Sequence, residues 1–153
     1  IDLLLKNFNE KIMEPGKPDF NYLPYKVHNN IVYLAGQLAK ENGVVKNTGM
    51  VLEDITEEEA SRQMSLCATH AFTWLEIAAK KNNNEIESIL DLKVYVSCKE
   101  NFDGISKLAD FASSIFIEKL GENGKHPRSV LAVTRLPQNA PVMIDLRAAL
   151  KFK

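Results

Sequence analysis

"PVMIDLRAAL", residues 141–150, alternates side chains with a period of two. Val142, Ile144, Leu146 and Ala148 fall on one face, and Met143, Asp145 and Arg147 on the other. "ILDLKVYVS", residues 89–97, repeats the pattern, with Leu90, Leu92, Val94 and Val96 opposed to Asp91, Lys93, Tyr95 and Ser97. Strands of this kind need a cover on their apolar face. Their second face, carrying Tyr95, Lys93, Met143, Asp145 and Arg147, is too apolar to stay wet and too charged for a core, so it reads as an interface between copies.

The cover comes from two helical patterns. Thr56 is a good N-cap, Glu59 completes a capping box, and acids at 57, 58 and 59 suit the helix dipole. Ala60, Met64, Cys67, Ala68, Ala71, Phe72, Leu75 and Ala78 follow as one apolar stripe, wide enough to cover a sheet. A second helix sets Leu108, Phe111, Ala112 and Ile115 inward and stops at Gly121. Tyr25–Leu38 reads as a hairpin about Asn29-Asn30, both tolerant of positive φ, and a polar loop, "KENGVVKNTG", comes after it. "SVLAVTRL" is a further strand before the last. The order β-β-α-β-α-β-β predicts an α+β two-layer domain, one mixed sheet with two long helices on one face. A single domain spans 1–153, with an accessory amphipathic helix over 1–14 (Leu4, Leu5, Phe8, Ile12) ahead of the breaker-rich "EPGKPDFNYLP".

Composition narrows the function. With 45% hydrophobic and 25% charged residues the chain is a folded globular type, and its net charge of −1 provides no global attraction to nucleic acid or membrane. No apolar run reaches the roughly 18 residues of a membrane span, and no signal peptide is visible, so a cytoplasmic location is expected. Cys67 and Cys98 have neither metal nor disulfide spacing, and Cys67 reads as a buried thiol. His28 and His70 lack metal-ligand partners, and Ser129 has no Asp/His pattern of a nucleophilic triad. Neither a metal nor a cofactor is implied.

From Lys125 to the C-terminus six Lys or Arg stand against the single acid Asp145. That excess suits a small anion or a solvated edge. Arg128, in "GKHPRSVLAVTRLP" (124–137), opens a strand after a proline that holds the backbone extended. Position alone leaves two readings: a guanidinium reaching water, or one waiting for an anion.

"NIVYLAGQLA" (30–39), the capped helix after "GMVLEDITEEEA" (49–60), and "HPRSVLAVTRLPQNAPVMIDLRAAL" (126–150) together resemble the Rid family, the YjgF/YER057c/UK114-like proteins often labelled endoribonuclease L-PSP. The resemblance runs from about Tyr22 to the C-terminus, and the N-terminal helix resembles that of one subgroup. It implies a chorismate-mutase-like fold and a homotrimer with clefts between subunits. It also implies binding of a small carboxylate ligand and, in the best-known members, deamination of enamines and imines such as 2-aminoacrylate to a 2-oxo acid and ammonia. Ribonuclease activity or RNA binding, and a non-catalytic ligand-binding trimer, are the alternatives. Nucleic acid is not expected as a partner, because RNA readers interleave aromatics with a basic surface.

Residue by residue, Arg128 matches the arginine that grips the substrate carboxylate, a task suited to its bidentate fork. Gly36 matches a glycine whose backbone nears the ligand, and it also reads as a strand bulge. Ala35 stands where many relatives have serine, and Tyr22 matches a cleft aromatic or packs plainly. Met143 stands where deaminating members carry a glutamate. Hydrolysis of an imine needs a proton acceptor and donor there, and a thioether is neither. Asp145, on the same face, is the substitute carboxylate or the member of an ion pair with Arg147 or a neighbouring chain. His126, two residues before Arg128, is the other titratable candidate, or an exposed loop histidine.

Overall fold

A computed structural model describes residues 15–152, and the helix expected over 1–14 lies outside the described residues. The elements are β1 (Tyr25–His28), β2 (Ile31–Gln37), β3 (Lys40–Glu41), β4 (Val44–Val45), α1 (Glu57–Lys81), β5 (Ile86–Ser97), α2 (Ile105–Leu120), β6 (Arg128–Val133) and β7 (Val142–Leu150). Five strands form one mixed sheet in the order β1-β2-β7-β5-β6. Only β5 and β6 in it run parallel, because α2 carries the chain back between them. The architecture is α+β, with the two helices packed on one face. Among the described residues no helix is long and apolar enough to cross a membrane.

Strand β7 has the expected faces. Val142, Ile144, Leu146, Ala148 and Leu150 are buried, whereas Met143 and Asp145 are half-buried and Arg147 is exposed. Helix α1 supplies the cover with the predicted stripe, Ala60 through Ala78, all of it buried. Desolvation pushes the Cys67 thiol up, which leaves it an inert core group. Thr56 Oγ1 accepts from the Glu59 N–H at 3.1 Å, as a cap should. The Glu59 carboxylate does not close the capping box; it accepts from Asn47 at 2.8 Å, from Arg62 and from Gln63.

Four readings are corrected. Strand β5 carries bulges between Ile86 and Ser88 and between Ile89 and Asp91. The extra residue turns Leu90 outward and Ile89 inward, and strict alternation begins only at Leu92. Ser97 is buried where the sheet is overlaid, donating to the Thr134 carbonyl at 3.1 Å. In α2 the inner line is Leu108, Ala112 and Phe116; Phe111, one residue off that line, is exposed. The "polar loop" after β2 contains a second hairpin, β3–β4, turned by Asn42 and Gly43 at φ 53° and 81°. The first hairpin turns at Asn29-Asn30 as expected, with φ 49° and 61°.

Two features position the site. Between Leu34 and Gln37 strand β2 bulges, so Ala35 and Gly36 together oppose the single residue Asp145 of β7. At the other end of the sheet Gly124 is buried, and a Cβ there would lie 2.1 Å from the Phe116 carbonyl oxygen. Backbone cannot move aside as a flexible side chain can. We therefore expect Gly124→Ala to destabilise the chain by about 3 kcal/mol, the upper end of overpacking penalties, as read by urea unfolding.

A pH effect follows from Glu59, whose carboxyl is brought down from the ordinary 4.5 to about 2, chiefly by its hydrogen bond with Arg62. A depressed acid contributes stability that is complete above pH 4.5 and drains away as the pH falls toward 2. Unfolding measured across that window should show a shallower loss for Glu59→Gln than for the natural chain. Equal slopes would contradict the assignment.

Candidate functional site

The bulge in β2 forms the floor of a cavity of about 680 Å³. One wall is the irregular 15–24 segment, where Pro18 and Pro24 fix φ and Phe20 and Tyr22 are presented to the space. A second wall is α1, through His70 and Trp74, and a third is β7, through Met143 and Asp145, with Pro137 and Gln138 beside it. Three separate parts of the chain thus bring together Tyr22, Ala35, Gly36, Met143 and Asp145.

Gly36 has a local reason to be glycine. An added Cβ would sit 2.9 Å from Met143 Sδ, so the thioether occupies the space over the Gly36 backbone. The Ala35 N–H donates to the Pro24 carbonyl at 2.9 Å, and the Gln37 amide nitrogen donates to the Ala35 carbonyl at 2.9 Å. These bonds hold the bulge and the 15–24 wall together.

Asp145 is not paired with Arg147. Its Oδ2 accepts from the Tyr95 hydroxyl at 2.9 Å, while Arg147 forks onto Asp91 across the strand pair. Burial first, and then the bond to Asp145, push the Tyr95 phenol up. Tyr95 therefore keeps its proton and donates it, and Asp145 Oδ1 faces no donor among the described residues.

Two further residues give the cavity its polarity, and sequence reasoning missed both roles. Lys40 lines it with a side chain only 14% exposed, its Nζ 3.2 Å from Asp19 Oδ2. Buried His70 meets the Lys40 carbonyl at 2.8 Å through Nε2. A carbonyl only accepts, so that nitrogen carries the hydrogen. In sequence Lys40 opens a polar loop, where the Asn-Gly pair two residues on is the local sign of a turn.

Arg128 lies elsewhere. Its register partner in parallel β5 is Leu92, which is buried beneath the helices, so the pleat directs Arg128 toward α2 and away from the face of Met143 and Asp145. Its NH1 donates to Asp110 Oδ1 at 2.7 Å and Ser113 Oγ at 3.0 Å, and its NH2 to the Ser106 carbonyl at 2.9 Å. Within one chain the anion it meets is Asp110.

His126 belongs to this second cluster and is half-buried, not an exposed loop residue. Its Nδ1 donates to the Gly124 carbonyl at 2.6 Å, and its Nε2 is hydrogen-bonded to the Ser113 hydroxyl at 3.0 Å. The ring stands edge-on to Phe116 at 5.9 Å. Among the described residues no group of three or more His, Cys, Asp or Glu could hold a metal ion.

Known proteins are similar to this chain in sequence or in fold. TCP17 of Trypanosoma cruzi is 26% identical over 142 residues, 92% of this chain and 88% of that protein. The crystal structure of Atu1372 from Agrobacterium tumefaciens, a protein of unknown function, is 27% identical with a TM-score of 0.78, covering 99% of this chain and 100% of that one. TdcF of E. coli, solved with bound serine, is 14% identical and alike in fold, with a TM-score of 0.67 over 90% of this chain and 94% of that one. The sequence model of the family described as endoribonuclease L-PSP matches residues 14–150. With the chain matched nearly end to end, it belongs to the endoribonuclease L-PSP, or YjgF-like, family.

Proposed function

We propose that the chain binds a small 2-oxo or 2-imino acid in the cavity under the 15–24 segment, and that hydrolysis there is weakened by Met143. The observation that carries this reading is the meeting of Tyr22, Ala35, Gly36, Met143 and Asp145 in one space. Membership of a YjgF-like family supports a small-molecule-binding protein. The bound serine of TdcF supports a ligand of amino-acid type.

Deamination of an imine adds water across the C=N bond and expels ammonia, leaving a 2-oxo acid. The attacking water must lose a proton and the departing nitrogen must gain one. Met143 Sδ, lying over Gly36, can do neither. Asp145 is the carboxylate in this cavity that could take the proton, but Tyr95 already engages one of its oxygens. Binding is therefore the primary function in this reading and turnover is slow.

A homotrimer is part of the same proposal. The face that carries Lys93, Tyr95, Leu131 and Met143 is the surface a second copy would cover, and Leu131 is 45% exposed. Arg128 reaches a ligand only from a neighbouring copy, by exchanging Asp110 for the ligand's carboxylate. A cytoplasmic location belongs to the same proposal. The ribonuclease alternative has the family's label behind it, whereas the chain's net charge of −1 gives no overall attraction to RNA.

The experiment is a hydrolysis assay with freshly generated 2-aminoacrylate, comparing the natural chain, Arg128→Ala and Met143→Glu. We expect little turnover in the natural chain and a gain of about 100-fold in Met143→Glu, the lower end of what a placed acid/base supplies. Fast turnover by the natural chain, or no gain in a folded Met143→Glu, would refute the weakened-hydrolase part.

A further inference from the structure

The cavity is shaped for more than a three-carbon acid. Its volume of about 680 Å³ lies in the middle of the range for ligands of drug size. Its rim holds Phe20, 79% exposed, and Tyr22, 52% exposed, on a segment stiffened by Pro18 and Pro24. Trp74 and Met143 face the same space from inside. Aromatic faces and a polarisable thioether together gain by burying a flat or branched apolar body.

The same space holds its own cation. The Lys40 side chain is largely buried, and its one ion-pair partner among the described residues, Asp19, is 61% exposed on the rim segment. The backbone of Lys40 is fixed by the bond from His70, by its N–H bond to the Leu38 carbonyl at 2.9 Å and by the β3–β4 pairing. An incoming carboxylate can replace Asp19 on Nζ and release that side chain to water, where it is already mostly solvated. Asp145, the cavity's second anion, repels a carboxylate and so orients the ligand with its acid end toward Lys40.

We propose that the cavity takes a 2-oxo acid bearing an aromatic or bulky branched side chain. Its carboxylate sits on Lys40 Nζ in place of Asp19, and its apolar body rests against Phe20, Tyr22, Trp74 and Met143. This inference rests on the reading of the cavity as the ligand site, and it assigns the anchoring role within a chain to Lys40.

Trp74 is the chain's single tryptophan, so its fluorescence reports the cavity directly. The test titrates the natural chain, Lys40→Gln, Lys40→Arg and Arg128→Ala with phenylpyruvate, with pyruvate and with uncharged phenylacetone, calorimetry providing a second readout. Phenylpyruvate should bind at least about 10-fold more tightly than pyruvate, and Lys40→Gln should weaken phenylpyruvate by about 10-fold or more, the loss of one charge-assisted bond. Lys40→Arg should recover most of that loss, and phenylacetone should bind the natural chain and Lys40→Gln alike, which excludes a merely damaged cavity. Equal affinity for the two acids, or a loss in Arg128→Ala with none in Lys40→Gln, would overturn this inference while leaving the cavity as ligand site. Failure of every acid to bind would overturn the cavity reading itself.

Discussion

Strand β7 is hydrogen-bonded on both sides, to β2 and to β5, and its period of two divides the molecule. Val142, Ile144, Leu146 and Ala148 must all lie under the helices, so Met143, Asp145 and Arg147 must all lie on the opposite face. A slip of one residue would bury two charges and expose four apolar side chains. The register is thus fixed by the core, and the chemistry of the other face is fixed as a consequence. Asp91 of β5 then lies directly opposite Arg147, and Tyr95, opposite Met143, reaches Asp145 diagonally across the strand pair.

The cavity arises where this regularity is broken. If β2 continued its pairing, Ala35 would simply oppose Asp145; the bulge gives Asp145 two opposing residues and bends the strand end. The bend leaves room under the 15–24 segment, which is tied to the bulge through the Ala35–Pro24 bond. Helix α1 serves both parts. Its Ala and Met stripe closes the core, and one edge of the same helix offers His70 and Trp74 to the cavity. Gly36 and Met143 are bound to one another's identity, because the thioether fills the place of a β-carbon.

Legibility in the sequence followed the strength of periodicity. The alternation of 142–148, the capped stripe of α1 and the Asn-Asn hairpin were readable because each repeats or is punctuated locally. Leu90 and Phe111 mislead for one reason: a single extra or offset residue changes the face, and each has an apolar neighbour, Ile89 or Ala112, that is buried. The β3–β4 hairpin escaped because strands of two residues have no period to detect. Of the site, Tyr22, Ala35, Gly36 and Met143 come from resemblance and Asp145 from its place on the same strand face as Met143, and all five line one cavity. Lys40 and Asp19 could not be found that way, since their meeting depends on the path of the 15–24 segment rather than on any spacing. The partner of Arg128 was hidden too, as Asp110 lies 18 residues earlier on another element.

The two cations differ in what each must give up to receive an anion. Arg128 has three acceptors on α2, one of them a carboxylate and one a buried hydroxyl that also serves His126. Removing it from that set gives up three hydrogen bonds at once, returns Asp110 and the Ser106 carbonyl to solvent, and leaves Ser113 with its bond to His126. Lys40 gives up, among the described residues, a single ion pair with a rim carboxylate that is already mostly in water. A ligand's carboxylate returns a charge-assisted bond in either case, so the difference lies in the starting state. It favours Lys40 within a chain and assigns Arg128 to fastening β6 against α2, with any part in ligand binding left to what a neighbouring copy offers in exchange for Asp110.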